Sequence, residues 1–188
     1  MFTNLLVAPV MIAQLETATR NLSTDSVYKI EGLIQIFTCD RRSFFTGVMS
    51  QALRIASQGT PVLVVQFLKG GISQGCDRPM RLGKNLDWLR CDIPRCINTP
   101  QIETPETLAV QELWHHTRQL VSAGKYSLVV LDELSLAVNF GFIDENQVLE
   151  FLKHRPPQVD VILTGPEMPT ALLAVADQIT EIRRSHQP

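Results

Sequence analysis

The chain has 188 residues, 45% of them apolar and 19% charged. That is enough for one domain with a real core and excludes a disordered segment. Its formal net charge of -2 excludes the basic footprint of a general nucleic-acid binder.

Residues 1–29 read as an N-terminal arm ahead of a domain spanning 30–188. Leu5, Leu6, Met11, Ile12 and Leu15 form a rough helical stripe, followed by the polar turn Asn21–Ser26. The arm is too weakly amphipathic to stand alone, so it is expected to pack on its own domain or on a partner subunit. Its apolar run Leu5–Ala13 is too short to span a bilayer and has no Lys or Arg before it, unlike a signal peptide. A cytoplasmic protein is expected, away from membranes, with its four cysteines as free thiols or ligands rather than disulfides.

From Gly32 onward strand and helix patterns alternate. Leu33–Phe37 is a short apolar strand, and residues 43–58 look helical up to Gly59. Val62–Phe67 is the fully buried strand type, closed by the turn Gly70-Gly71, and Leu86–Leu89 is a weaker strand. Thr104 is a natural N-cap with Pro105 at the first helical position, and that helix runs to about Ala123. Leu128–Leu131 is another central strand. Asp144 caps a helix that stops before Pro156-Pro157, and Val159–Leu163 and Gln178–Ile182 are the last two strands. The pattern is an α/β fold with a mainly parallel central sheet flanked by helices.

Such a sheet binds ligands outside the carboxyl ends of its strands. Loop 38–46, loop 68–78, segment 90–103 and the stretch from Asp132 are all expected at that edge. Asp132 and Glu133 follow four apolar strand residues, where a phosphate-binding α/β fold places acid for a magnesium ion.

Several segments together carry a resemblance. They are Gly32-Leu33-Ile34-Gln35-Ile36-Phe37-Thr38, Ala52-Leu53-Arg54-Ile55-Ala56, Val64-Val65-Gln66-Phe67-Leu68-Lys69-Gly70 and Val129-Val130-Leu131-Asp132-Glu133. Arg155-Pro156-Pro157, Ile162-Leu163-Thr164-Gly165 and Ala176-Asp177-Gln178-Ile179-Thr180-Glu181-Ile182-Arg183 follow. In order and approximate spacing, over about residues 30–184, the chain resembles the bacterial P-loop type of ATP:corrinoid adenosyltransferase. Those enzymes place adenosine on the cobalt of cobalamin precursors. The resemblance implies a P-loop NTPase (RecA-like) fold, MgATP and corrinoid as ligands, and a homodimer in which the arm covers a partner's site. It places Thr38, Asp40, Arg41, Arg42, Ser43, Thr46 and Arg54 at the nucleotide loop and its flank, and Asp132 and Glu133 at the magnesium.

The departures fall on the chemistry. The family's loop reads Gly-Asn-Gly-Lys-Gly-Lys-Thr-Thr, whereas this chain reads Cys39-Asp40-Arg41-Arg42-Ser43-Phe44-Phe45-Thr46. The glycines that let backbone N–H groups wrap phosphate are gone. The phosphate-binding lysine falls on Phe44 and the metal-binding threonine on Phe45, two rings suited to plugging the pocket. Arg42 falls on the family's first lysine, and Arg41 and Arg42 remain cations able to bind phosphate. The family's aromatic corrinoid-activating stretch corresponds to Cys91–Asn98, which has no Phe or Trp. Trp88 and Trp114 read as core residues. Arg54, Gln66 and Lys69 stand at family positions, where binding an anion competes with surface solubility and helix capping.

Cys39, Cys76, Cys91 and Cys96 all follow strand ends on the same predicted edge. They suggest a zinc or iron–sulfur site, or a redox-switched disulfide, although no CxxC pair is present. His115 and His116 are adjacent on a helix, so they point about 100° apart and do not chelate together. Three readings follow. The first is an adenosyltransferase-like protein with degenerate ATP and corrinoid sites, acting through a protein partner or retained ligand. The second is an active enzyme with Arg41, Arg42, Asp132 and Glu133 around MgATP. The third is a metal or redox sensor built on the four thiols.

Overall fold

In a computed structural model residues 31–71 and 74–183 are described; the expected arm lies outside them. The elements run β1 (Ile34–Cys39), α1 (Thr46–Ser57), β2 (Val62–Gln66), β3 (Met80–Leu82), β4 (Leu86–Arg90) and α2 (Thr104–Ser122). After them come β5 (Leu128–Asp132), α3 (Leu134–Asn139), α4 (Glu145–His154), β6 (Asp160–Thr164), α5 (Thr170–Ala174) and β7 (Gln178–Ile182). One seven-stranded sheet has the order β3-β4-β2-β5-β6-β1-β7. Every pairing is parallel except β3 with β4. The α/β class with a mainly parallel sheet between helices is therefore the observed one.

The central strands explain their own position. β2 and β5 are buried at every residue, because helices cover both faces and each apolar side chain finds a core on one face or the other. On one face, Leu63, Val65, Val129 and Leu131 join Val110, Leu113 and Trp114 of α2 and Val148, Phe151 and Leu152 of α4. On the other, Val62, Val64, Leu128 and Val130 pack on Val48, Met49, Ala52 and Ala56 of α1. Trp114 anchors the first core with edge-on contacts to Phe67 at 6.0 Å and Phe151 at 5.3 Å. Such pairs add about 0.5–1.5 kcal/mol beyond their burial. The core role expected for Trp114 holds.

Two helix starts differ from the sequence expectation. Helix α1 begins at Thr46, not at residue 43: Arg42 is drawn to Glu133 and Ile97 at the sheet edge, and Phe45, the residue before the helix, is buried in the core. Glu103, not Thr104, caps α2: the Glu106 carboxylate reaches back to the Glu103 N–H at 3.2 Å, and Thr104 is already helical. β3, α3 and α5 were not expected, being too short to show a period. No helix among the described residues is long and apolar enough to cross a membrane.

Candidate functional site

With six strands parallel, the loops after β1, β2, β4 and β5 and the end of β6 meet at one sheet edge, where the sequence places them. The centre is the end of β5. Asp132 is fully buried and Glu133 is 2% exposed. Buried carboxylates persist only when paired and hydrogen-bonded, and here every oxygen has a donor. Asp132 Oδ1 accepts from Thr164 Oγ1 at 2.7 Å. Its Oδ2 accepts from Gln66 Nε2 and from Lys69 Nζ, each at 2.7 Å. Gln66 is held in turn by Trp88, whose Nε1 donates to Gln66 Oε1 at 3.0 Å. Trp88 thus has a positioning contact besides its packing.

Glu133 takes the arginine from the β1 loop. Arg42 Nε donates to Oε1 and Nη2 to Oε2, both at 2.6 Å. This is the parallel fork that makes arginine–carboxylate pairs strong and directional. Arg42 Nη1 also donates to the Ile97 carbonyl at 2.7 Å and to Asn98 Oδ1. The Glu133 hydrogen bonds, above all, raise the arginine's pKa against the opposing effect of burial. Lys69 Nζ stands 3.9 Å from Glu133 Oε1, so two cations and two carboxylates form one neutral cluster.

Backbone geometry serves this cluster. Glu133 adopts φ 60°, ψ 26°, a left-handed conformation that costs a non-glycine residue about 1 kcal/mol. Its N–H donates to Thr164 Oγ1 at 3.2 Å, and its fork with Arg42 fixes the side chain. Gly70 lets the β2 loop touch the β4 loop; an added Cβ would lie 2.2 Å from the Ile93 carbonyl oxygen.

The region that would cradle phosphate has a different character. Glu133 and Glu167 are the non-glycine residues with positive φ among those described, so residues 40–45 make no alternating right- and left-handed concavity of N–H groups. The two rings of this loop separate. Phe45 is 3% exposed in the core under α1, whereas Phe44 is 52% exposed with Lys69 Nζ 4.7 Å from its ring centroid. One ring seals the loop from below; the other faces solvent and does not plug a cavity.

A family model described as ATP:corrinoid adenosyltransferase BtuR/CobO/CobP matches residues 30–188. The chain belongs to this family. The corrinoid adenosyltransferase of Escherichia coli strain K12 is 29% identical over 152 residues, covering 81% of this chain and 76% of its own. The one from Sinorhizobium sp is 28% identical over 171 residues, covering 84% of this chain and 75% of its own. The corrinoid adenosyltransferase CobA of Salmonella typhimurium strain LT2 is 28% identical over 152 residues, covering 81% of this chain and 76% of its own.

Within this corrinoid-adenosyltransferase fold, Arg42, Asp132 and Glu133 come together, as do Gln66 and Lys69. Lys69 is therefore an ion-pair partner in the cluster and not a solubilising surface residue. Asp40, Arg41 and Thr46 are exposed, Thr38 and Ser43 half-buried, and Arg54 lies exposed on the last turn of α1. The residues present do not fit a magnesium ion. A magnesium ion needs carboxylate oxygens turned toward one point, and every oxygen of Asp132 and Glu133 is instead turned to a donor of the chain, from Lys69, Gln66, Thr164 or Arg42.

The four cysteines do not converge. Cys39 lies in the core under α1, its Sγ donating to the Arg41 carbonyl at 2.7 Å. Cys91 lies in the core on the opposite face, with Cys76 packed beside that core, and Cys96 is exposed. Side chains on this sheet alternate between faces, so following strand ends on one edge did not aim the thiols at one point. No three His, Cys, Asp or Glu side chains among the described residues are grouped to hold an ion. Burial pushes the Cys91 thiol up to about 12 and the Cys76 thiol up to about 11, the opposite of a reactive thiolate.

Sequence reasoning missed Thr164, which bridges the acidic pair, and Ile97 and Asn98, which receive the arginine. Thr164 had a signal, a hydroxyl at a strand end beside Gly165. Ile97 had none, because a backbone carbonyl leaves no mark on sequence, and the Asn98 side-chain oxygen had none, because nothing local pairs it with an arginine 56 residues away.

Proposed function

We propose that this family member has a closed, degenerate nucleotide site and acts by binding or regulation rather than by adenosyl transfer. The observation that carries the reading is that both carboxylates at the end of β5 are neutralised by the chain's own Arg42 and Lys69. A loop without left-handed residues supports it, as does the absence of aromatics from Cys91–Asn98. The segment that corresponds to the corrinoid-activating stretch supplies Ile97 and Asn98 to Arg42 instead. Function then runs through a protein partner, with a homodimer joined by residues 1–29 as the assembly.

Calorimetric titration of the full chain with MgATP tests the site, and an adenosylation assay on reduced corrinoid tests the reaction. No saturable binding and no adenosylated product are expected. Micromolar MgATP binding followed by product would overturn the reading in favour of an active adenosyltransferase with an altered loop.

A further inference from the structure

We propose that the Arg42 guanidinium is the built-in counter-ion of Glu133, standing in for a bound cation and joining the β1 loop, the β4 loop and the end of β5. The inference deepens the closed-site reading and rests on it. Three facts carry it. The guanidinium spends Nε and Nη2 on the two oxygens of Glu133 and Nη1 on Ile97 and Asn98, so one group reaches both neighbouring segments. Glu133 is 2% exposed, and the nearest other cation, Lys69 Nζ, is 3.9 Å from it and directed at Asp132. Asp132 keeps its own complete set of donors, so removing Arg42 strands one buried carboxylate and leaves the other satisfied.

A surface ion pair would behave differently. It would be screened by water and could be cut without consequence for the second partner. A fork on a buried carboxylate makes the two residues interdependent: each alone is more harmful to remove than both together. It also makes the site indifferent to metal, because the positive charge is already covalently supplied. Without that charge, the Glu133 carboxylate loses both of its side-chain donors and its oxygens become free to accept a hard divalent cation.

The experiment compares wild type, Arg42→Gln, Glu133→Gln and the double variant in the full chain. Thermal melting with Mn²⁺ or EDTA reads stability, and water-proton relaxation by Mn²⁺ reads metal binding. Wild type is expected to melt alike in both media. Arg42→Gln is expected to melt lower and to bind Mn²⁺ about tenfold or more tightly than wild type. The double variant is expected to lose that binding and to melt no lower than Arg42→Gln. Arg42→Lys, which keeps the charge without the fork, is expected to show no Mn²⁺ gain; it carries the test if Arg42→Gln does not fold. Equal Mn²⁺ binding by wild type and Arg42→Gln, Mn²⁺ binding by Arg42→Lys, or simply additive losses in the double variant would overturn the proposal. MgATP binding by wild type would overturn the closed-site reading instead, so the two failures are separable.

Discussion

Two adjacent phenylalanines end in opposite surroundings. Phe45 is buried under α1, whereas Phe44 touches Lys69 from solvent. Phe45→Ala is expected to lose about 3–5 kcal/mol of stability through the cavity it leaves, and Phe44→Ala no more than about 1 kcal/mol; urea unfolding midpoints check both. Their sequence neighbourhoods are nearly identical, so adjacency to an aromatic could not show which ring turns inward. The thiols make a second residue-scale case. Cys91 has its pKa raised by burial from 9.0 to about 12. Below pH 9 both folded and unfolded chains hold that proton, and the group does not change stability with pH. Above pH 9 the unfolded chain releases it first and binds fewer protons than the folded chain, so stability falls as pH rises toward about 12. Cys76, raised to about 11, acts in the same sense. Unfolding midpoints at pH 8, 9 and 10 are expected to decline, and less steeply in Cys91→Ala; an unchanged slope would deny the buried thiol its share.

Elements show where local sequence suffices. β2 and β5 were legible because a run of Val and Leu buried on both faces has few alternatives to a central parallel strand. The start of α2 was legible to within one residue; what sequence left open was which side chain closes the first turn. Thr104 is the better cap by type, yet Glu106 is 7% exposed, accepts from the Glu103 N–H and pairs with Arg95 at 2.8 Å. That reciprocal arrangement outweighs the intrinsic preference. Glu106→Ala is expected to lower stability by about 1–2 kcal/mol, and Thr104→Ala by less than half of that, as read by chemical denaturation. At the β6 end, Gly165 has φ 138° and an added Cβ would lie 2.1 Å from Ser135 Oγ. Gly165→Ala should therefore shift α3 against β6. Its expected loss of about 2 kcal/mol or more is checked by the same method. The short α3 and the exposed β3 escaped notice because six or three residues hold too little pattern to separate from a loop.

At the scale of the whole molecule, the sheet edge that gathers the site was legible from the alternation of strand and helix patterns, since parallel strands send their following loops one way. The pairing inside it was not. Arg42 and Glu133 are 91 residues apart in sequence, and Arg42, standing where the family has a lysine, read as a cation able to bind phosphate. The same separation decides how the site could be reopened. Phe44→Lys alone restores one lost charge at an exposed position and leaves the Arg42 fork and a glycine-free backbone in place, so it is expected not to bind MgATP. Reopening needs the loop as a unit: Cys39→Gly, Asp40→Asn, Arg41→Gly, Arg42→Lys, Ser43→Gly, Phe44→Lys and Phe45→Thr, with Thr46 already present. That variant gives up the Phe45 core contact, about 3–5 kcal/mol, so its folding is checked first by circular dichroism and melting. If folded, it is expected to bind MgATP in the micromolar range by calorimetry, because the restored glycines, lysine and threonine supply the N–H cradle, the ammonium and the hydroxyl for the triphosphate and its magnesium. It is expected still to fail at adenosylating reduced corrinoid, because Cys91–Asn98 supplies no aromatic ring. A folded variant that binds no MgATP would place the defect in the scaffold and not in the loop. Transfer by that variant would show that the β4 segment serves corrinoid without aromatics.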